Sequence, residues 1–188
     1  MQTEILISGF GGQGILFAGQ LLAYAAMDGG KEVTWIPSYG PEMRGGTANC
    51  TVIIADEDIG SPTVRNPQAV LALNLPSLEK YESLVAENGV MIANASLVNR
   101  PITRKDLKSV MISANEIAES IGEKRLTNMV MVGALLGVLP VLSLEAMQKA
   151  LQEHLPSRHQ RLLPLNYQAL QTGYTYAQQA VQSETVPY

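Results

Sequence analysis

The sequence predicts an α/β domain on an open, mostly parallel sheet of about six strands, with helices on both faces. Three observations carry this: an aliphatic run passes through a glycine loop into a helix-patterned segment, short apolar runs recur further on, and helical patterns separate them. Glu4 to Ser8 reads as the first strand, Gly9-Phe-Gly-Gly-Gln-Gly14 as its loop, and Ile15 to Met27 as a helix in which apolar residues and alanines recur at helical spacing. Val33 to Ile36 is a second strand ended by Pro37, and Asn49 to Ala55 a third, rich in β-branched residues. Between them, Ser38 to Ala48 carries too many glycines for a helix. After an acidic turn at Asp56 to Asp58, the runs 69–73, 90–93 and 110–113 have the length and bounding turn residues of buried parallel strands. Pro76 to Glu87, with proline near its first turn, and Ala114 to Ile121 fit crossover helices, and right-handed crossovers place them on both faces. Thr127 is placed to cap an apolar helix over 128–139; Ser143 is placed to cap the next, with Glu145 adding charge in its first turn. A last helix from Leu162 onward is expected to fade after Val181, leaving a loosely ordered end. One domain spans 1–188, with no repeat and no linker of domain scale.

The charged fraction is 16%, against roughly 25% in ordinary soluble domains, so a partner chain is the simplest cover for part of this surface. A net charge of −4 without any run of Lys or Arg argues against nucleic acid. The longest apolar stretch, Met129 to Leu142, is interrupted by Gly133, Gly137 and Pro140 and is shorter than the about 20 residues of a spanning helix; it reads as a core helix, not a membrane anchor. The first residues lack a basic segment and a cleavage signature, so a cytoplasmic location is expected. Cys50 is the one cysteine and lies in a strand, which makes it a small buried residue and not a nucleophile. With only His154 and His159 besides, in a polar connection around Pro156, no ligand set for zinc or an iron–sulfur cluster is expected, and no catalytic pair either. A redox centre belongs on another chain.

Gly9-x-Gly11-x-x-Gly14 has dinucleotide-binding spacing in the required strand–loop–helix context. Such a site also needs an acid at the end of the second strand, where Ile36-Pro37-Ser38 stands. Three readings stay open: a dinucleotide site, a turn that lets the helix pack close to the sheet, or backbone amides that hold a phosphorylated ligand or a neighbouring chain. Gln13 can contact a ligand or close the loop internally. If the second strand parallels the first, the loop after it leaves the same carboxyl edge, which brings Tyr39, Glu42, Arg44 and Gly45 beside Gly11 and Gly12. Arg44 can grip phosphate or carboxylate in a bidentate way; alternatively Glu42 and Arg44 pair and hold the loop. Asn128 is a capping or core hydrogen-bonding residue.

The Gly-Phe-Gly-Gly-Gln-Gly loop followed by Tyr39-Gly-Pro-Glu-Met-Arg-Gly-Gly-Thr-Ala-Asn-Cys50 resembles the gamma subunit of 2-oxoacid:ferredoxin oxidoreductases. Ile59-Gly-Ser-Pro62, the run from Lys80-Tyr81 to Asn88-Gly89 and the 128–137 helix extend the resemblance over about 4–180. Glu42-Met-Arg-Gly-Gly-Thr47 looks more like the 2-oxoglutarate type than the pyruvate type. The resemblance implies a Rossmann-like accessory domain, inactive alone, in an enzyme that converts a 2-oxoacid and coenzyme A to acyl-CoA and carbon dioxide while reducing ferredoxin. It implies partners in alpha and beta subunits, with delta as an optional fourth, and thiamine diphosphate and iron–sulfur clusters bound by those chains. It further implies coenzyme A contacts at the glycine loop (Gly9, Gly11, Gly12, Gln13, Gly14) and at Tyr39, Glu42, Arg44 and Gly45. The alternatives are a subunit of an indolepyruvate or pyruvate-type enzyme, or a stand-alone nucleotide-binding protein; the isolated chain could also form a homodimer.

Overall fold

The computed structural model describes residues 1–39 and 47–184. Its elements are β1 (Gln2–Phe10), α1 (Ile15–Asp28), β2 (Glu32–Tyr39), β3 (Thr47–Ala55), β4 (Ala69–Ala72), α2 (Leu75–Tyr81), β5 (Val90–Asn94), β6 (Lys108–Ile112), α3 (Ala114–Ile121), α4 (Thr127–Val138), α5 (Leu144–His154) and α6 (Leu163–Glu184). The strands form one sheet in the order β2-β3-β1-β4-β5-β6. β1, β4, β5 and β6 are mutually parallel, while β3 runs against both β1 and β2, so β2 points the same way as β1. The six-stranded, mostly parallel α/β sheet expected from the sequence is therefore present, with one reversed strand that no sequence feature had marked.

β2 does not end at Pro37. It stays in register with β3 through Pro37↔Cys50 to Tyr39↔Ala48. Proline is tolerated because β2 is an edge strand, where its nitrogen can face away from β3 and cost no ladder hydrogen bond.

Alternation along the strands divides the core. Ile5, Ile7, Leu71 and Ile92 face α1, α3, α4, α5 and α6, whereas Leu6, Val70, Met91 and Ala93 face a thinner layer made by α2 and the segment carrying Val98, Ile102 and Leu107. Helices cover both faces, very unequally. α4 is apolar all round and has ten buried residues, as a helix with neighbours on every side must be. Its backbone lies against α6: a Cβ on Gly133 would stand 2.1 Å from the Leu170 carbonyl oxygen, and one on Gly173 2.0 Å from that of Val130.

Thr127 does not cap α4. The chain enters α4 from a 3-10 turn at Lys124–Leu126, so the Thr127 hydroxyl donates back to the Lys124 carbonyl (3.1 Å), and Glu123 caps the turn by accepting from Arg125 N–H. Ser143 caps α5 as expected, accepting from Ala146 N–H at 3.1 Å. The helix anticipated over 76–87 stops at Tyr81 and passes into a 3-10 turn at Glu82–Leu84, because the Glu82 carboxylate is engaged by the segment 100–104. α6 continues past the fade expected at Val181, to Glu184. Among the described residues no helix is long and apolar enough to cross a membrane.

Candidate functional site at the glycine loop

The glycine loop sits at the carboxyl edge of the sheet, where the chain direction divides: β1 leads into α1 on the thick face, and β4, its parallel neighbour, leads into α2 on the thin face. Crevices at such points are where open α/β sheets bind ligands. Here the crevice is bridged by Gln13, whose Oε1 accepts from Phe10 N–H (2.6 Å) and from Asn74 Nδ2 (3.4 Å). Asn74 in turn caps α2 by accepting from Ser77 N–H at 3.0 Å, and the hydroxyls of Ser77 and Ser8 lie 2.9 Å apart. Of the two roles open to Gln13, its carbonyl oxygen serves internal closure.

The glycines differ in what they do. A Cβ on Gly9 would meet Gln13 Oε1 at 2.5 Å and Leu73 Cβ at 3.0 Å, so Gly9 serves close packing. Gly14 is left-handed (φ +74°) and its carbonyl accepts from Asn128 Nδ2 at 3.0 Å, while Asn128 Oδ1 accepts from Met129 N–H. Asn128 is thus a core hydrogen-bonding residue that clamps the loop. Gly12 is also left-handed (φ +98°), yet nothing stands within 4 Å of where its Cβ would be. Its backbone faces open space, and the first turn of α1 carries no side-chain cap. That leaves the first amides of α1 without a side-chain acceptor at the positive end of a helix, an arrangement that attracts an anion.

On the α1 side of the loop lies a cleft of about 340 Å³. Gly12, Gly14 and Phe17 form one wall, Leu126, Leu155 and Leu162 give it an apolar lining, and Arg125, Arg158 and His159 bring polar heads to it. Arg125 is engaged bidentately by Glu123 at 2.9 and 2.7 Å, and this pairing holds the Glu123 carboxyl down at about 2. Arg158 Nε donates to His159 Nε2 at 3.1 Å, so the histidine accepts there. Asn166 is almost fully buried and donates to the Leu162 carbonyl (2.8 Å); its Oδ1 has no hydrogen-bond partner among the described residues. Gly12, Gly14 and His159 had been singled out from the sequence, but Phe17, Arg125, Arg158 and Asn166 had not. Arg125 and Arg158 are far apart along the chain and carry no local motif, so only the fold joins them.

The second loop leaves from where it was expected. Phe10 pairs with Thr47 and Tyr39 with Ala48, so the ends of the loop flank the start of the glycine loop. Glu42, Arg44 and Gly45, and the side chain of Tyr39, lie outside the described residues. Cys50 is fully buried against α1, donates to the Ile15 carbonyl at 3.5 Å, and burial pushes its thiol up to about 12. It is a packing residue, as expected. His154 is not in a solvated connection but at the end of α5, stacked on Tyr24 and hydrogen-bonded to Asp28.

The family model of the pyruvate ferredoxin/flavodoxin oxidoreductases matches residues 4–176. The chain belongs to that family. Among curated relatives of this oxidoreductase domain, the 2-oxoglutarate synthase subunit KorC of Methanocaldococcus jannaschii is 36% identical over 95% of this chain and 96% of its own length. The ketoisovalerate oxidoreductase subunit VorA of Methanothermobacter thermautotrophicus is 33% identical over 97% of this chain, which spans only 38% of that longer protein. The gamma subunit of a keto/oxoacid ferredoxin oxidoreductase from Geobacter sulfurreducens superposes with a TM-score of 0.79 at 32% identity, covering 93% of this chain and 98% of that one. A 2-oxoglutarate:ferredoxin oxidoreductase from Magnetococcus marinus, solved with 2-oxoglutarate, coenzyme A and succinyl-CoA, shares the fold (TM-score 0.85) at 20% identity, over 95% of this chain and 31% of that one.

Proposed function

We propose that this chain is the gamma subunit of a 2-oxoglutarate:ferredoxin oxidoreductase, inactive alone. In that reaction 2-oxoglutarate loses carbon dioxide, its acyl group joins the thiol of coenzyme A as succinyl-CoA, and two electrons pass to ferredoxin. The observation that carries the reading is the end-to-end match with the KorC subunit, whereas the ketoisovalerate relative carries this domain as a minority of a longer protein. Thiamine diphosphate and the clusters belong, on this reading, to alpha and beta chains in a cytoplasmic complex.

The contribution of this chain is to receive the phosphate-bearing end of coenzyme A. The open amides at Gly12 and the start of α1, together with the guanidinium of Arg158, supply what a phosphate needs, and Phe17 offers an aromatic face beside them. Gly11, Tyr39, Glu42, Arg44 and Gly45 complete the proposed contact set from the neighbouring loop, with Arg44 as the bidentate group. Gln13 shapes the loop in this arrangement.

A second reading, a branched 2-oxoacid such as ketoisovalerate, is favoured by the VorA match at nearly equal identity. Purifying the tagged chain from its native cells with its companions and assaying dye reduction over a panel of 2-oxoacids separates the two. Preference for 2-oxoglutarate supports the first, and preference for a branched acid replaces it. Arg44→Ala in the assembled enzyme should weaken apparent coenzyme A affinity; an unchanged value removes Arg44 from the site.

A further inference from the structure

The C-terminal ends of α1 and α5 converge, and there Asp28, Glu153 and His154 bring one ligand atom each to within 4.8 Å of one another. His154 Nε2 and Asp28 Oδ2 are 3.0 Å apart. The imidazole is held in place from behind: its ring stacks on Tyr24 with centroids 4.1 Å apart and planes within 15°, and the Tyr24 hydroxyl accepts from Gln20 Nε2 at 3.0 Å. The charge is unbalanced. Among the described residues Glu153 is paired with Lys149, at 3.9 Å and solvent-exposed, while Asp28 is paired with no lysine or arginine, and two helix C-termini add negative potential.

We propose that Asp28, Glu153 and His154 form a site for a divalent cation of the zinc class, which fastens α1 to α5. Bonds of about 2.0–2.1 Å to nitrogen and oxygen place the ligand atoms of a tetrahedral zinc ion about 3.3 Å apart. The Asp28–His154 pair needs to open by only roughly 0.3 Å, and the Glu153 carboxylate to close by no more than about 1.5 Å, a rotamer adjustment for an exposed side chain. Water fills the fourth position. An imidazole ligand selects zinc, cobalt or nickel over magnesium and calcium, which prefer oxygen alone. Asp28 stands on α1, far along the chain from the adjacent pair Glu153-His154 on α5, and no metal-ligand spacing links them, so only the fold brings the three together.

The test uses the full untagged chain, stripped with a chelator and titrated with zinc chloride by calorimetry, with thermal unfolding alongside. Expected are one zinc ion bound per chain, a raised unfolding temperature, no response to magnesium, and visible d–d absorption when cobalt is substituted. His154→Ala should abolish binding, and Glu153→Gln should weaken it roughly tenfold or more, since a ligand is lost. Glu153→Gln also guards against misreading a poorly folded His154→Ala, because its side chain is exposed and leaves the Asp28–His154 pair intact. Absence of saturable binding overturns the proposal, and so does zinc binding that Glu153→Gln leaves unchanged.

Discussion

Glu82 offers a sharp test of what holds the thin face of the sheet together. Its side chain is 8% exposed, and its carboxylate accepts from the Thr103 N–H and hydroxyl (2.8 Å for the latter), the Arg104 N–H (3.2 Å) and Arg100 Nη1 (2.8 Å). Burial alone raises its pKa, but the Thr103, Arg100 and Arg104 donors outweigh it and pull the carboxyl from 4.5 down to about 2. At about 1.4 kcal/mol per unit, that difference amounts to about 3 kcal/mol favouring the folded state when the group is ionised. A depressed carboxyl stabilises above its unfolded value and loses that contribution as pH falls through its folded one, so the window runs from about 4.5 down to about 2. Glu82→Gln removes the charge and turns an NH2 group toward donors. Urea unfolding of both proteins at pH 7 should show the variant about 3 kcal/mol less stable, with the gap narrowing steadily as pH is lowered from 4.5 toward 2. A gap under about 1 kcal/mol at pH 7, or one that stays constant down to pH 3, would refute the reasoning.

Two further outcomes follow from the packing. Gly173→Ala sets a methyl group against the Val130 carbonyl and must push α6 off α4, so thermal unfolding should register a loss of about 1–3 kcal/mol, whereas a neutral result would mean the helices separate freely. Cys50 should resist alkylation at pH 8 in the native chain and react promptly in denaturant; fast native labelling would contradict its burial and its thiol pKa of about 12.

The segment from Glu4 to Met27 was legible because every level agreed there: an aliphatic strand, glycines with positive φ at Gly12 and Gly14, and helical spacing after them. The short parallel strands were legible too, since burial on both faces leaves continuous apolar runs such as Ala69–Ala72 and Val90–Asn94. The reversal of β3 was not, because a strand reads alike in either direction. Pro37 misled because its effect depends on whether the strand has one neighbour or two, which is a property of the sheet. Thr127 misled because the capping role had moved upstream to Glu123, at the start of a 3-10 turn that has no periodic signature. Of the candidate site, the glycine loop and its facing loop were visible as motifs, but the cleft assembled by Phe17, Arg125, Arg158 and Asn166 exists only once α4 and α5 pack beside α1 and α6 packs on α4.

Pro37 bears on how a chain of this kind avoids joining copies of itself edge to edge. A sheet has two rims, and a bare rim templates the addition of foreign strands. On one rim, the Tyr176 hydroxyl reaches across from α6 to the Met111 carbonyl of β6 at 3.0 Å, occupying an acceptor that an incoming strand would need. On the other, the imino nitrogen of Pro37 deletes a donor from the middle of β2 and breaks the row of hydrogen bonds along which fibrils grow. Association is thereby steered away from edge-to-edge stacking and toward contacts made by faces and loops, so the same residue that interrupts the sequence pattern helps keep the folded chain from growing strand by strand.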